Sequence, residues 1–251
     1  MSLILVTNDD GVHSDGLKAL AQAMARLGEV VVVAPLGESS AIGHALTLTR
    51  PLRLERVGER VYSVDGTPTD CVNLAVARVL DRRPDLVASG INKGYNLGDD
   101  ITYSGTVAGA MEGALLGIPS VAISVCRSRE YDFTQAAWAA AVVAEAVLRN
   151  GLPERTFLNV NVPPHRAHGF RVTVQARRNH ATSVREGQDP RGRTYYWIEE
   201  GEDAWDGDPR SDYQAVREGW ISVTPLAPDL TAHDALGALE SLCLPAAAGV
   251  E

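Results

Sequence analysis

Short apolar runs alternate along the first two thirds of the chain with longer segments whose apolar residues recur at helical spacing. Residues 3–7 form such a run and end at turn-forming residues, a pattern typical of a strand buried on both faces. In residues 15–27 the apolar positions recur every three or four residues, which predicts an amphipathic helix that Gly28 closes as its C′ residue.

The same patterns predict further strands and helices over the first 162 residues. The predicted strands are 30–34, 61–64, 85–89, 120–125 and 156–162, and the predicted helices are 67–80, 104–117 and 134–149. Because strands that alternate with helices form parallel sheets covered on both faces, we predict a three-layer α/β/α fold with a Rossmann-like, mostly parallel sheet.

The pattern changes after Pro163-Pro164. Strands are predicted at 170–176, 194–199 and 220–224, with a polar stretch rather than a helix between the first two, and a terminal helix at 232–242. An antiparallel ribbon or an extended arm would explain this pattern. We therefore expect one domain over residues 1–251, with a C-terminal extension from about residue 165 that serves oligomerisation, because an isolated ribbon is only marginally stable.

Composition narrows the functional classes. Hydrophobic residues make up 45% of the chain and charged residues 22%, as in an ordinary globular protein. The net charge of -9 argues against binding to nucleic-acid polymers, which needs a basic surface. An acidic protein that acts on phosphates would need a metal or a few placed Lys and Arg residues. No basic leader with an apolar core and no membrane-length apolar run is present, so we predict a soluble, cytoplasmic protein.

The three cysteines are Cys71, Cys126 and Cys243. Their odd number and wide separation fit neither a disulfide framework nor a zinc site. Cys71 lies in an apolar stretch, so we expect a buried structural thiol there.

The first candidate for chemistry is the pair Asp9-Asp10, which follows the first predicted strand. In an open α/β sheet, ligands bind at this carboxyl edge. Adjacent carboxylates repel each other unless a cation or a shared proton relieves them, so the pair indicates a metal. The alternative is that Asp10-Gly11 is a simple turn with Asp9 as its solvated neighbour.

Two more loops would reach the same edge. One covers residues 35–44, and the other covers residues 90–103, which are rich in Gly and Asn and precede Ser104-Gly105-Thr106. The start of the helix at Ser104 is suited to an anion because its backbone N–H groups are unpaired. Plain flexibility of the loop and ordinary N-capping by Ser104 are the simpler alternatives.

Oxygen ligands from carboxylates, hydroxyls and amides favour Mg²⁺ or Mn²⁺ over zinc. His44 is a candidate acid or base, although a lone histidine is more often a hydrogen-bonded structural residue. A phosphoacceptor receiver domain needs an Asp where this chain has Ser89-Gly90, and aspartyl-phosphate phosphatases prefer alternate rather than adjacent acids. A non-catalytic nucleotide-binding module would not need the Asp pair, which counts against that class.

Several motifs in order resemble the SurE family of stationary-phase survival proteins. The resemblance extends over residues 3–231 and rests on segments 6–11 (VTNDDG), 40–44 (SAIGH), 66–71 (GTPTDC), 89–98 (SGINKGYNLG), 103–107 (YSGTV) and 219–226 (GWISVTPL). It is weak over residues 181–211.

The resemblance implies a metal-dependent nucleotidase that hydrolyses nucleoside 5′- and 3′-monophosphates, with some exopolyphosphatase activity. It implies one Mg²⁺ or Mn²⁺ per subunit, held by Asp9, Asp10, Ser40 and Asn92. It maps the phosphate pocket onto Asn96, Ser104, Gly105 and Thr106 and gives catalytic roles to Asp9, Asp10, Asn96 and Ser104. It also implies a homodimer or tetramer that exchanges C-terminal elements.

Overall fold

The apolar run after Met1 forms strand β1 (Ser2–Thr7) at the centre of the main sheet. It pairs in parallel with β2 (Gly28–Pro35) on one side and with β5 (Leu86–Lys93) on the other. Successive side chains of a strand point to opposite faces, and both faces of β1 are covered. Ile4 packs with one helical layer and Leu5 with the other, and neither is exposed.

In the computed structural model, residues 1–205 and 207–240 are described. The remaining strands are β3 (Leu54–Gly58), β4 (Val61–Val64), β6 (Ser120–Val125), β7 (Phe157–Val162), β8 (Phe170–Val172), β9 (Arg178–Gln188), β10 (Thr194–Trp205) and β11 (Ile221–Leu226). The helices are α1 (Asp15–Met24), α2 (Pro68–Leu74), α3 (Gly105–Leu115), α4 (Thr134–Asn150), α5 (Asp212–Arg217) and α6 (Leu236–Glu240), and shorter helical turns cover Ala75–Val79, Gly98–Thr102 and His233–Ala235.

The main sheet has the order β3-β4-β2-β1-β5-β6-β7-β11-β8. Its centre is parallel, while β3 runs antiparallel to β4 and β11 runs antiparallel to β7. Helices α1 and α4 cover one face, and α2 and α3 cover the other. The predicted three-layer α/β/α fold is confirmed.

The strand order changes direction between β1 and β5. From β1 the chain first adds strands on the β2 side and then returns to add β5, β6 and β7 on the other side. The loops after β1 and β5 therefore diverge at their carboxyl ends and leave a crevice, which is where ligands bind in sheets of this kind.

Some predicted boundaries are wrong. Helix α1 ends at Met24, not at residue 27, and Gly28 begins β2 instead of capping a helix. A Cβ on Gly28 would lie 2.2 Å from the Ser2 carbonyl oxygen, so this glycine allows close strand pairing. Strand β5 continues past residue 89 to Lys93, which places Asn92 in a strand. Strand β3 and helix α5 were not predicted, because both are short and mostly polar.

The predicted antiparallel ribbon is confirmed. Strands β9 and β10 form a separate two-stranded sheet, and β9 falls in the stretch predicted only as polar. The structure describes the predicted terminal helix only as far as Glu240, so residues 241–251, including Cys243, lie outside the described range. Cys71 is fully buried, as expected. Within residues 1–205 and 207–240, the structure contains no helix with the length and apolar composition needed to cross a membrane.

Candidate active site

Asp9 lies in the crevice directly after β1 and is only 5% exposed. Its Oδ1 accepts a short hydrogen bond from the Thr106 hydroxyl in the first turn of α3. Burial raises the pKa of Asp9 to about 6; the Thr106 hydrogen bond opposes this rise, and the charge of Asp10 adds to it. Near neutral pH this carboxylate is therefore a buried charge with insufficient compensation from the protein.

Asp10 is half-buried beside Asp9. Burial raises the pKa of Asp10, and the Lys93 ammonium acts in the opposite direction. Among the described residues, buried Asp10 Oδ2 and Asn8 Oδ1 have no hydrogen-bond partner. The Asn8 amide nitrogen instead donates to the Gly11 carbonyl (3.2 Å) and to the Ser14 hydroxyl (2.8 Å). Buried oxygens without a donor are what a cation site requires.

The N-terminus of α3 approaches this carboxylate pair closely. A Cβ on Gly105 would lie 2.8 Å from Asp9 Cβ and 3.0 Å from Asp9 Oδ2, so only glycine fits. The Ser104 hydroxyl accepts from the Val107 N–H at 3.0 Å, so Ser104 is the N-cap of α3, which was the simpler alternative for this residue. The structure thus brings together Asp9, Asp10, Gly105 and Thr106.

Ser40 lies on the loop that follows β2. The Ser39 N–H donates to the Asp9 carbonyl oxygen (2.8 Å), which ties this loop to the carboxylate pair. Ser40 itself is exposed, and its hydroxyl donates to Glu38 Oε1 at 2.7 Å. The structure places Ser40 at the rim of the crevice, with its hydroxyl engaged by a neighbour.

Asn92 is half-buried at the end of β5. Its amide nitrogen donates to the Gly94 carbonyl oxygen at 2.8 Å. That bond does not use the amide oxygen, which remains a suitable ligand for a hard cation.

Asn96 takes part in a buried polar network at the ends of β6 and β7. Its amide nitrogen donates to the Ser124 hydroxyl (2.8 Å), and its backbone N–H donates to Asn161 Oδ1 (2.9 Å). Its carbonyl oxygen accepts from the side-chain amides of Asn159 (2.8 Å) and Asn161 (3.0 Å). Asn159 and Asn161 were not predicted as site residues, although two asparagines at alternate positions of an apolar strand are a signal for a buried polar network.

His44 makes a specific side-chain contact. Its Nε2 lies 2.7 Å from Glu112 Oε2, and Glu112 Oε1 accepts from the Asn73 amide at 2.7 Å. Burial would raise the pKa of Glu112, but the hydrogen bonds from His44 and Asn73 hold it below its usual value. The structural role considered for His44 fits this contact, which fastens the loop that carries Ser40 to α2 and α3. Glu112, a lone acid in a helix rich in Gly and Ala, was not predicted.

In the part of the chain that the structure describes, no group of ligands suits a metal that prefers sulfur or nitrogen, such as zinc. Among the described residues, no group of three or more His, Cys, Asp or Glu side chains is placed to hold a metal. A cation beside Asp9 and Asp10 would need neutral oxygens or water to complete its shell. The donor set therefore fits a hard divalent ion that retains open positions for ligands.

The fold and the site together define a class of α/β/α protein. Two adjacent acids lie at the switch point of its sheet, and the N-terminus of a helix packs against Asp9, which the glycine at position 105 allows. Residues 4–182 match the family model described as "Survival protein SurE". The chain belongs to the SurE family.

Similar proteins cover nearly all of the chain. The "5'-nucleotidase SurE" of Syntrophotalea carbinolica is 56% identical over 233 residues, which cover 91% of this chain and 92% of that protein. The protein of the same name from Citrifermentans bemidjiense is 50% identical over 246 residues (96% and 99%). The crystal structure of the SurE protein from Aquifex aeolicus superposes with a TM-score of 0.86 at 45% identity and covers 96% of this chain and 99% of that one.

Proposed function

We propose that the chain is a 5′-nucleotidase, a metal-dependent phosphomonoesterase that hydrolyses nucleoside 5′- and 3′-monophosphates, with exopolyphosphatase activity as a further capacity. One observation carries the proposal: buried Asp9 lies against the N-terminus of α3, beside half-buried Asp10 with its unpartnered carboxylate oxygen. Relatives at 50–56% identity named 5′-nucleotidase SurE support the reaction class.

Asp9, Asp10, Ser40 and Asn92 would hold one Mg²⁺ or Mn²⁺. When bound, such an ion polarises a phosphate oxygen and makes water a better nucleophile near neutral pH. Asp9 is held in place by Thr106, so one of its oxygens has a fixed direction. Asn92 would contribute its amide oxygen, which its bond to Gly94 does not use, and Ser40 would exchange its hydrogen bond to Glu38 for the ion.

The phosphate would lie against the first turn of α3. Backbone N–H groups at Gly105 and Thr106 and the Ser104 hydroxyl favour an anion there, since the positive end of the helix dipole adds to them. Asn96 would fix the neighbouring loop through its network with Ser124 and Asn161. A developing negative charge is stabilised best by donors already fixed in position.

We also propose that the protein is a homodimer or tetramer that exchanges C-terminal elements. The ribbon of β9 and β10 supports this proposal because Trp197 is 61% exposed and Ile198 is 80% exposed. Exposed apolar groups on an isolated two-stranded ribbon are expected to be covered by another chain. The cytoplasmic location expected from the sequence stays a prediction.

The test is phosphate release from nucleoside 5′- and 3′-monophosphates and from polyphosphate with Mn²⁺, Mg²⁺ or EDTA. We expect release that requires metal and that falls by at least about a hundredfold in Asp9→Asn. The control Asp15→Asn changes an exposed aspartate in α1 and should keep full activity. If a folded protein releases no phosphate with either metal, or if Asp9→Asn remains active, the proposal is wrong.

A further inference from the structure

A cavity of about 780 Å³ opens at the carboxyl ends of β6 and β7, beside the first turn of α4. Tyr131 and Trp138 contribute aromatic surface, and Glu130, Asp132 and Arg166 contribute polar groups. Its volume falls within the range of roughly 300–1,000 Å³ that is typical of small-molecule sites. Neither the metal ligands nor the phosphate pocket proposed above lies among its lining residues.

The wall of this cavity is held in place by Gln135 of α4. Its Nε2 donates to the carbonyl oxygens of Pro163 (3.2 Å) and His165 (3.0 Å), and its Oε1 accepts from the Ala167 N–H (2.8 Å). These three bonds fix the segment that follows β7 against α4. The cavity is therefore enclosed by anchored backbone on this side, and its shape does not depend on a free loop.

Lys93 connects the cavity to the carboxylate pair. Its Nζ lies 5.6 Å from the centroid of the Tyr131 ring, and its charge acts on Asp10. Its strand partner is Val125, which lines the cavity, and the next residue, Gly94, donates its N–H to the Val125 carbonyl oxygen at 3.0 Å. One lysine side chain thus reaches from the carboxylates to the aromatic wall.

We propose that this cavity binds the nucleoside part of the nucleotide substrate, with the base against the aromatic wall of Tyr131 and Trp138 and the phosphate directed past Lys93 toward Asp9 and Asp10. The proposal rests on the proposed function and adds its nucleoside subsite. Trp138 is 53% exposed and so offers ring surface to a base. Glu130 offers acceptors for ribose hydroxyls or exocyclic amines.

The cavity on the opposite flank of the carboxylates is less suitable. It lies beside Ser39 and Arg50 and has a volume of about 280 Å³, below the usual range for such sites. The Arg50 guanidinium there already donates to the Asp65 carbonyl oxygen and pairs with the Asp65 carboxylate at 3.3 Å. A nucleoside would have to displace these contacts.

The first experiment measures binding without turnover. Adenosine, guanosine, cytidine and uridine are titrated into the full chain in EDTA by calorimetry. Because a base binds more weakly when the ring on which it stacks is removed, we expect Trp138→Ala to weaken binding by about tenfold. We expect Tyr131→Ala to weaken it by a few fold, since the Tyr131 ring already stacks on Phe133 with the centroids 5.7 Å apart. Tyr103→Ala serves as the comparison, since Tyr103 is 61% exposed on the α3 side of the crevice. Unchanged binding in Trp138→Ala and Tyr131→Ala, loss in Tyr103→Ala instead, or no nucleoside binding at millimolar concentration would overturn the proposal.

The second experiment separates this proposal from the proposed function. We expect Trp138→Ala to lower kcat/KM for AMP by about tenfold while kcat/KM for glycerol 2-phosphate, which has no base, stays within twofold. An equal loss on both substrates would contradict a nucleoside subsite. If no substrate is hydrolysed but nucleosides still bind in a manner that depends on Trp138, the phosphatase proposal fails and the cavity assignment stands.

Discussion

The carboxyl edge around Asp9 and the ribbon of β9 and β10 depart from the usual distribution of residues in opposite ways. At the edge, a carboxylate that is 5% exposed lies next to a second acid. On the ribbon, Trp197 and Ile198 are largely exposed to solvent. Buried charges usually have partners, and large apolar side chains are usually covered.

Each departure destabilises the isolated chain. Burial of Asp9 raises its pKa, which means that the folded protein resists holding this group as a charge. Within the described residues the ribbon pairs with no third strand, and two-stranded ribbons are marginal in water. Under the two proposals above, a bound ion would complete the edge and another chain would cover the ribbon.

The largest effect is expected from Gly105→Ala. The added Cβ would meet Asp9 Cβ at 2.8 Å and so would push the start of α3 away from the carboxylate. We expect kcat/KM for AMP to fall by about a hundredfold, because fixed donors and ligands lose their alignment. Gly37→Ala, at a loop position with no heavy atom within 4 Å of the added Cβ, is the matched control. Normal activity in Gly105→Ala would show that the close approach is not required.

The ribbon is tested by the double variant Trp197→Ser with Ile198→Ser. Removal of this exposed apolar surface should weaken self-association by about tenfold or more, since apolar burial drives most protein association. Light scattering coupled to size exclusion would then show a smaller species, with circular dichroism unchanged. Val172→Ser, at a residue 78% exposed on β8, is the control. A monomeric unaltered protein, or an unchanged mass in the double variant, would contradict the oligomer proposal.

The central sheet could be predicted from the sequence because its strands are buried on both faces. Runs such as residues 30–34 have few polar positions, so period and length identify them without tertiary information. Strand β3 could not be predicted this way: four of its five residues are exposed, and it is a strand only because β4 pairs with it. The same holds for β9, whose partner β10 supplies its hydrogen bonds.

Part of the candidate site could also be predicted. Asp9 and Asp10 follow a recognisable strand, and Ser104 caps a recognisable helix, so their meeting at one edge follows from topology. Glu112 could not be found in this way because its partners His44 and Asn73 lie 68 and 39 residues away in the chain. Only the folded structure shows that the contact between His44 and Glu112 holds the loop that carries Ser40 against α3.

A smaller effect, on stability, is expected from Asp9→Asn. The folded pKa of about 6 lies above the ordinary value of 3.8, so stability falls as pH rises from about 4 to about 6 and stays reduced above that. In EDTA at pH 7, the variant should therefore be more stable by about 1–3 kcal/mol, because a neutral amide replaces a buried charge. Urea unfolding measures this difference, which should vanish near pH 4. Asp15→Asn should bring no gain, and a destabilised Asp9→Asn would show that the carboxylate is compensated without metal.

The smallest effect concerns the contact that fastens the loop of Ser40 to the body. In Glu112→Gln one carboxylate oxygen becomes an amide donor and the negative charge is lost, so the contact with His44 is kept only if Nε2 accepts instead of donating. We expect a loss of about 1 kcal/mol in the free energy of unfolding at pH 7 and a rise in KM of a few fold with kcat nearly unchanged.

The pH dependence distinguishes this contact from a general loss of packing. The pKa of Glu112 is lowered in the folded state, so its contribution to stability is present above the ordinary value of 4.5 and is lost as pH falls through the lower folded pKa. The stability difference between Glu112→Gln and the unaltered protein should therefore shrink in acid. Glu145→Gln, which breaks an exposed pair with Arg149 in α4, should change stability little at any pH. If the stability difference for Glu112→Gln persists unchanged in acid, the effect comes from packing within α3, and the charge of Glu112 does not hold the loop in place.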